Sequence, residues 1–314
     1  MTAATTLRAR TAIRRRTLAA IAANRTPGLH FVGHFLDFEW RTADKRHATV
    51  AMHTAAHCAA ADGTTHLIPL SVLADTALAT ATRLQLRPGA RQATIQMHLQ
   101  FTGVAPRGNL VADASFRQFT HGSVRQLLST ATMCSHGRPV CHATGAFMAL
   151  PAPAGVRLAP LPWQRGAAAQ TEPLDERQLT PAEKRILRRC DAALEQAAAN
   201  GSFIGHFWDD ERRGADTRAG RRIAVDHHIT NRVGHVQGGI LFGLAATASI
   251  SAAPRQMALS NISAWFIRAG QGSQLTVKSR LLHAGRTTAV VQTTVSDGEG
   301  RRVLEAMSSH VARS

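Results

Sequence analysis

The sequence predicts an α+β protein of two tandem units, each with a central helix packed on an antiparallel sheet. Three observations carry this expectation. The chain repeats itself at a nearly constant spacing, both copies show the same order of helix-like and strand-like runs, and a proline-rich stretch separates them. Phe31-Val32-Gly33-His34-Phe35-Leu36-Asp37 returns 172 residues later as Phe203-Ile204-Gly205-His206-Phe207-Trp208-Asp209. Leu73-Ala74-Asp75-Thr76-Ala77 returns 171 later as Leu244-Ala245-Ala246-Thr247-Ala248. Phe101 and Leu110 pair with Phe266 and Leu275, 165 later, and Gly137-Arg138 with Gly300-Arg301, 163 later. The offset only falls, in small steps, as a second copy short of a few loop residues requires.

Each element has a local reason. In copy two, Thr180-Pro181-Ala182-Glu183 reads as a capping box with proline at the first helical position. Ile186, Leu187, Cys190 and Leu194 then form one apolar face, and Asn200-Gly201 ends the helix. Copy one has a looser, more basic helix from Thr6 to Asn24. A strand is expected next, His47 to Thr54 and Arg222 to Ile229, followed by a long apolar helix, about Leu67 to Leu84 and Gly238 to Ser251. Leu70, Leu73, Ala74, Ala77 and Leu78 give that helix its buried stripe. Four strand-like runs close each copy; in copy two they are Met257 to Ile267, Gln274 to His283, Arg286 to Ser296 and Arg302 to Val311. Turn-prone residues such as Gly270-Gln271-Gly272 and Asp297-Gly298-Glu299-Gly300 separate them. The expected division is residues 1–150 (core 29–150), a linker at 151–179 with Pro151, Pro153, Pro160, Pro162 and Pro173, and residues 180–314 (core 202–314).

Composition narrows the function. At 314 residues and 44% hydrophobic content the chain can bury two ordinary cores. It has no apolar run long enough to span a bilayer, so no membrane partner is expected. The arginine-rich start (Arg8, Arg10, Arg14, Arg15, Arg16) imitates a transit peptide, but its counterpart later in the chain makes it part of the fold. The cysteines, Cys58, Cys134, Cys141 and Cys190, show no CxxC spacing and read as reduced thiols of a cytoplasmic protein. A net charge of +17 invites a nucleic-acid reading, yet only Lys45, Lys184 and Lys278 among the 37 basic residues are lysines, and the arginines are scattered. The phosphates of a small molecule suit them equally well.

The candidate chemistry lies on the two long helices. The second opens with Asn231-Arg232-Val233-Gly234-His235-Val236-Gln237-Gly238-Gly239. Paired glycines at a helix start let a ligand approach backbone N–H groups at the positive end of the helix dipole, a ready oxyanion site. The competing reading is that Gly-Gly only permits tight helix–strand packing. Copy one has His66-Leu67-Ile68-Pro69 there instead, but carries Asp75 where copy two has Ala246. Both copies keep nine residues between the helix-opening position (His66, Gln237) and the acid position (Asp75, Ala246). From Gly239 to position 246 the helix rises on the order of 10 Å, too far for an acid to serve its own helix N-terminus. Two such helices lying antiparallel about a pseudo-twofold axis would set Asp75 beside the glycines of the other copy. One complete site and one degenerate site would result.

At these residues the sequence resembles the hotdog-fold thioesterases, especially the group similar to the phenylacetate-pathway acyl-CoA thioesterase. That group shows a pattern like Asn-x5-His/Gln-Gly-Gly followed by Leu-Ala-Asp-Thr-Ala. Copy two matches the first part with Asn231, Gln237, Gly238 and Gly239, and copy one the second with Leu73-Ala74-Asp75-Thr76-Ala77; neither copy is a full match alone. The resemblance implies a double hotdog fold over roughly residues 29–150 and 200–314, and hydrolysis of an acyl-CoA thioester. It implies that the Gly239 N–H, with Gly238, polarises the carbonyl. Asp75 would be general base or nucleophile, Asn231 and Gln237 would orient thioester or water, and Thr76 would hold carboxylate or substrate. His235 is a further ligand contact. No metal or redox cofactor is implied; coenzyme A enters as part of the substrate. Double hotdog modules can associate further into a homo-oligomer.

Two alternatives follow from the same residues: a non-catalytic acyl-CoA-binding hotdog protein, and a hotdog hydratase or dehydratase. The second is weakened because Gly-His-Phe at His34 and His206 lacks the surrounding prolines and later acid of the dehydratase pattern. His53-x3-His57, and His227-His228 on an expected strand, offer no metal-ligand spacing with a carboxylate or cysteine.

Overall fold

A computed structural model describes residues 3–86, 90–119, 126–151, 159–164, 171–209 and 220–313. In the first unit, α1 (Ala3–Asn24) and the short α2 (Phe31–Leu36) precede β1 (Phe38–Ala43), β2 (His47–His53) and the long α3 (Leu67–Arg83). Then come β3 (Arg91–Phe101), β4 (Asn109–Phe119), β5 (Gln126–Ser135) and β6 (Arg138–Leu150). The second unit repeats the plan with α4 (Pro181–Asn200), α5 (Phe203–Trp208), β7 (Arg221–Ala224) and α6 (Gly238–Ala252). It closes with β8 (Met257–Phe266), β9 (Gln274–Ala284), β10 (Thr288–Asp297) and β11 (Arg302–Ala312).

The strands form one continuous sheet in the order β1-β2-β4-β5-β6-β3-β8-β11-β10-β9-β7. The join between units is antiparallel pairing of β3 with β8 from Gln96↔Trp265 to Gln100↔Asn261. The pair His98↔Ser263 lies at its centre, and these residues are related by the repeat offset of 165, so the pseudo-twofold axis passes between them. His98 Nδ1 and Ser263 Oγ meet there at 2.8 Å. Strict alternation along β5 and β10 buries one sheet face against the helices. Ser129 of β5, for example, donates to the Leu78 carbonyl of α3 at 3.1 Å.

The long helices lie antiparallel across the same axis. A Cβ on Gly239 would stand 2.5 Å from Val72 Cα, and one on Gly243 would stand 2.6 Å from Ile68 Cα. These two contacts are symmetry mates under the repeat, with all the small residues on α6 and the larger partners on α3. Residues 239–249 of α6 are buried on every side, between sheet and α3, which explains why that helix is apolar all round.

The outer helices are stapled where the sequence suggested. Thr180 and Glu183 exchange both capping-box bonds, and Gly201 ends α4 with a φ of 95° that favours glycine. The basic face of α1 and the residue that follows it meet acids of the linker and the second unit: Arg14 bonds Asp191 and Glu176, and Arg25 bonds Glu183. That part of the positive charge is engaged within the fold. The repeated Phe-x-Gly-His-Phe segments form α2 and α5, and their rings pack on each other, with Phe35 5.4 Å from Phe207 and 5.7 Å from Trp208.

One expected element is corrected. The strand at Arg222–Ile229 stops at Ala224, and His227 and His228 lie in a turn, not on a strand. Asp226 causes this: its carboxylate accepts the His227 N–H, and its carbonyl accepts the Ile229 N–H. His228 is buried against Phe207, and His57, its counterpart, against Phe35. Neither is near a metal-binding cluster; among the described residues none exists. All four cysteines are free thiols, and no described helix is long and apolar enough to cross a membrane.

Candidate active site

Asp75 projects from the middle of α3, 5% exposed, into the N-terminus of α6. Its Oδ2 accepts from Gln237 Nε2 at 2.8 Å and from the Gly239 N–H at 3.2 Å, and its Oδ1 accepts from Thr94 Oγ1 at 2.8 Å. The acid of one unit thus meets the helix opening of the other. Burial pushes its carboxyl up to about 6, against the pull of the Thr94, Gly239 and Gln237 donors.

Gln237 is oriented by its own helix. As N-cap of α6 it accepts the Ile240 N–H through Oε1 at 2.8 Å, so its amide nitrogen must face Asp75. Of the N–H groups in the first turn, Gly239 bonds Asp75, Ile240 bonds the Gln237 side chain and Leu241 bonds the Gln237 carbonyl. Gly238 is left with its N–H uncommitted among the described residues. A Cβ there would sit 3.2 Å from both Asp75 Oδ2 and Thr94 Oγ1.

The glycines therefore divide their work. Gly239 is needed for close packing on Val72 and its N–H is given to the carboxylate, whereas Gly238 faces the open side of the site. The packing reading of Gly-Gly holds for Gly239, although against a helix and not a strand.

The other expected residues sit nearby with different tasks. Asn231 Oδ1 accepts the Val233 and His235 N–H groups at 3.0 and 3.1 Å, which shapes the loop leading to Gln237. Thr76 lines the same cavity next to Asp75 but does not bond its carboxylate. The half-buried ring of His235 also lines it, and its pKa is lowered by burial and by nearby Arg91.

Thr94 is the participant that sequence reading missed. It precedes a bulge in β3 at Ile95, matched by a bulge at Ser260 in β8. With the bulges aligned, Thr94 corresponds to Leu259, so the polar residue belongs to the same copy as the acid. The mirror-related position gathers Ala246, His66, Leu259 and Ile68, which have no carboxylate to offer. One half-site is complete and the other is stripped.

A cavity of about 640 Å3 opens from Asp75, walled by α3, the ends of β3 and β6, the loops 231–237 and 266–270, and Leu161 and Trp163 of the linker. Among the described residues, four arginines line it, Arg83, Arg91, Arg232 and Arg268, and Asp75 is the only acid. A smaller cavity of about 260 Å3 shares Leu29, His30, Asn231 and Arg232 with the first.

A continuous sheet wrapped over two antiparallel central helices defines a double hotdog protein. Residues 227–311, within the second unit, match the family of the acyl-CoA thioesterase N-terminal domain. Among solved structures, the fold is similar to that of a protein described as an oleoyl thioesterase from Lactobacillus plantarum. The identity is 12%, the TM-score 0.53, and the match covers 87% of this chain and 98% of that one. It is also similar to a hotdog-fold protein of unknown function from Alicyclobacillus acidocaldarius (10%, 0.51, 88% and 96%). A third is the 12:0-ACP thioesterase from Umbellularia californica (10%, 0.50, 85% and 94%). At such identities the likeness is one of fold. No curated protein sequence matches the chain.

Proposed function

We propose that the protein hydrolyses an acyl-CoA thioester at the single complete site between its units. The observation that carries this is the buried Asp75 carboxylate, held by Gln237, Thr94 and Gly239 in the wall of an otherwise cationic cavity. Three of roughly four acceptor positions on the carboxylate are filled, leaving one for a water. That water would also lie within reach of the second Gln237 amide hydrogen and the Thr94 hydroxyl oxygen.

Asp75 takes a proton from the water as its oxygen bonds to the thioester carbon. The carbonyl electron pair moves to oxygen, where the Gly238 N–H and the positive end of α6 stabilise it. Collapse breaks the C–S bond, and the departing thiolate takes the proton from Asp75, giving acid and free coenzyme A. Gly239 acts by holding the carboxylate, and the oxyanion role passes to Gly238. Thr76 and His235 contact the substrate in the cavity, and Asn231 keeps the loop in shape. Arginines at the cavity supply charge for the coenzyme phosphates. The narrower likeness to the phenylacetate-pathway group rests on Asn231, Gln237–Gly239 and Leu73–Ala77 and belongs to this reading.

Release of free thiol from a panel of acyl-CoA esters tests it. The wild type is expected to release thiol and Asp75→Asn to lose about 10²–10⁴-fold in rate. If neither protein hydrolyses any ester while both bind them, the chain is a binder and not an enzyme.

A further inference from the structure

Arg83 is unlike the other arginines of the cavity. Arg91 donates to the Pro151 carbonyl at 3.1 Å and Arg232 to the Ala159 carbonyl at 2.8 Å, so both tie down the linker. Arg268 is exposed. Arg83 is half-buried, lines the cavity, and has no acid or carbonyl partner among the described residues. It ends the stripe Asp75, Thr76, Ala79, Thr80, Arg83, which forms one wall of the cavity. Eight residues separate it from Asp75, about 12 Å along the helix.

An aromatic pair lies at the same end. Trp163 lines the cavity, with its indole nitrogen buried away from the open space. Its ring packs 5.1 Å from Trp40, whose own N–H donates to Thr80 Oγ1 at 3.2 Å, one turn before Arg83. A basic residue in the last turn of a helix gains from the helix dipole, but that gain asks for no place in a cavity. The duplication argues in the same direction. Arg83 corresponds to Pro254, so the arginine, like Asp75 and Thr94, occurs only in the half that builds the complete site.

We propose that this end of the cavity makes the protein selective for acyl groups with a carboxylate at their far end, held by Arg83. The inference rests on the thioesterase reading and names its substrate class. A plain alkyl chain would cover the guanidinium without an acceptor, and the site would discriminate against it. An extended chain advances about 1.25 Å per carbon, from a bond of about 1.52 Å and an angle near 111°. After allowing for the reach of the arginine, the span fits about six to ten carbons.

The test compares CoA monothioesters of dicarboxylic acids in that range with monocarboxylic esters of equal length. Wild type is expected to favour the dicarboxylic ester by about tenfold or more in kcat/KM. In Arg83→Met the ratio falls to near one, and in Arg83→Lys it is partly kept. Equal rates for both esters in the wild type would overturn the proposal. So would an Arg83→Met loss common to both CoA esters but absent with N-acetylcysteamine thioesters, because the arginine would then be reading coenzyme phosphates. Calorimetric titration of wild type with monomethyl esters of dicarboxylic acids and methyl esters of monocarboxylic acids needs neither a folded variant nor thioester hydrolysis. Tighter binding of the ester that carries a carboxylate supports the proposal even where no thioester is cleaved, and equal or absent binding of both esters overturns it.

Discussion

Replacing Asp75 with asparagine should stabilise the fold while removing activity. The carboxyl is buried, and its pKa rises from 3.8 to about 6 on folding. A group raised on folding binds its proton more tightly in the native state. Its contribution is fully favourable only below the unfolded value, and is lost as pH rises through the folded one. The raised value of Asp75 therefore costs native stability on the order of 1 kcal/mol at pH 4.5, where it ionises mainly in the unfolded chain, and about 3 kcal/mol by pH 8. Asparagine keeps the shape and carries no such cost. Its oxygen can face Gln237 and Gly239, and its amide can donate to a rotated Thr94 hydroxyl. Urea unfolding at pH 4.5, 6 and 8 measures the difference. The advantage of Asp75→Asn over wild type should grow by about 2 kcal/mol across that range. A difference that stays flat with pH, or a variant less stable at pH 8 than at pH 4.5 relative to wild type, refutes a strained buried carboxylate.

Other outcomes follow from the same geometry. The kcat/KM of hydrolysis should rise with pH through a midpoint near 6, where Asp75 ionises, and level off above it. Thr94→Val removes a donor to the charged form, so that midpoint should move upward; an unmoved midpoint would separate Thr94 from the carboxylate. Gly239→Ala should lower stability by about 1–3 kcal/mol, because its Cβ meets the backbone of Val72 at 2.5 Å. Gly238→Ala should lower activity more than stability, since the nearest atoms to its methyl are side-chain oxygens of Asp75 and Thr94, the closest at 3.2 Å, and not backbone. Thermal melts and thiol-release rates on the two variants distinguish these effects.

Much of the fold was legible because the chain states its plan twice. Ordered matches such as Phe31–Asp37 with Phe203–Asp209 gave the repeat, and helix periodicity with cap residues placed α3, α4 and α6 within a residue or two. The antiparallel helix pair also followed from sequence, since an acid at position 75 cannot reach its own helix start. What sequence left hidden depends on the third dimension. Thr94 is one threonine in a strand until a bulge turns it toward Asp75. The Gly239 N–H looks free in sequence and is given to a carboxylate from the other unit. Asn231 looks like a ligand contact, and its oxygen instead braces a loop. Leu161 and Trp163 lie in a stretch whose prolines signal only a linker, yet they wall the cavity. The turn at Asp226 fell within an apparently strand-like run because a single aspartate decides it.

In the proposed mechanism Asp75 of one unit and Gln237 of the other act on the same water. Measuring kcat/KM for Asp75→Asn, Gln237→Leu and the double variant addresses this directly. Groups that work as one device lose their effect together, so the double variant should be hardly slower than the worse single one. Two losses that multiply, or a Gln237→Leu variant as fast as wild type, would contradict a shared site.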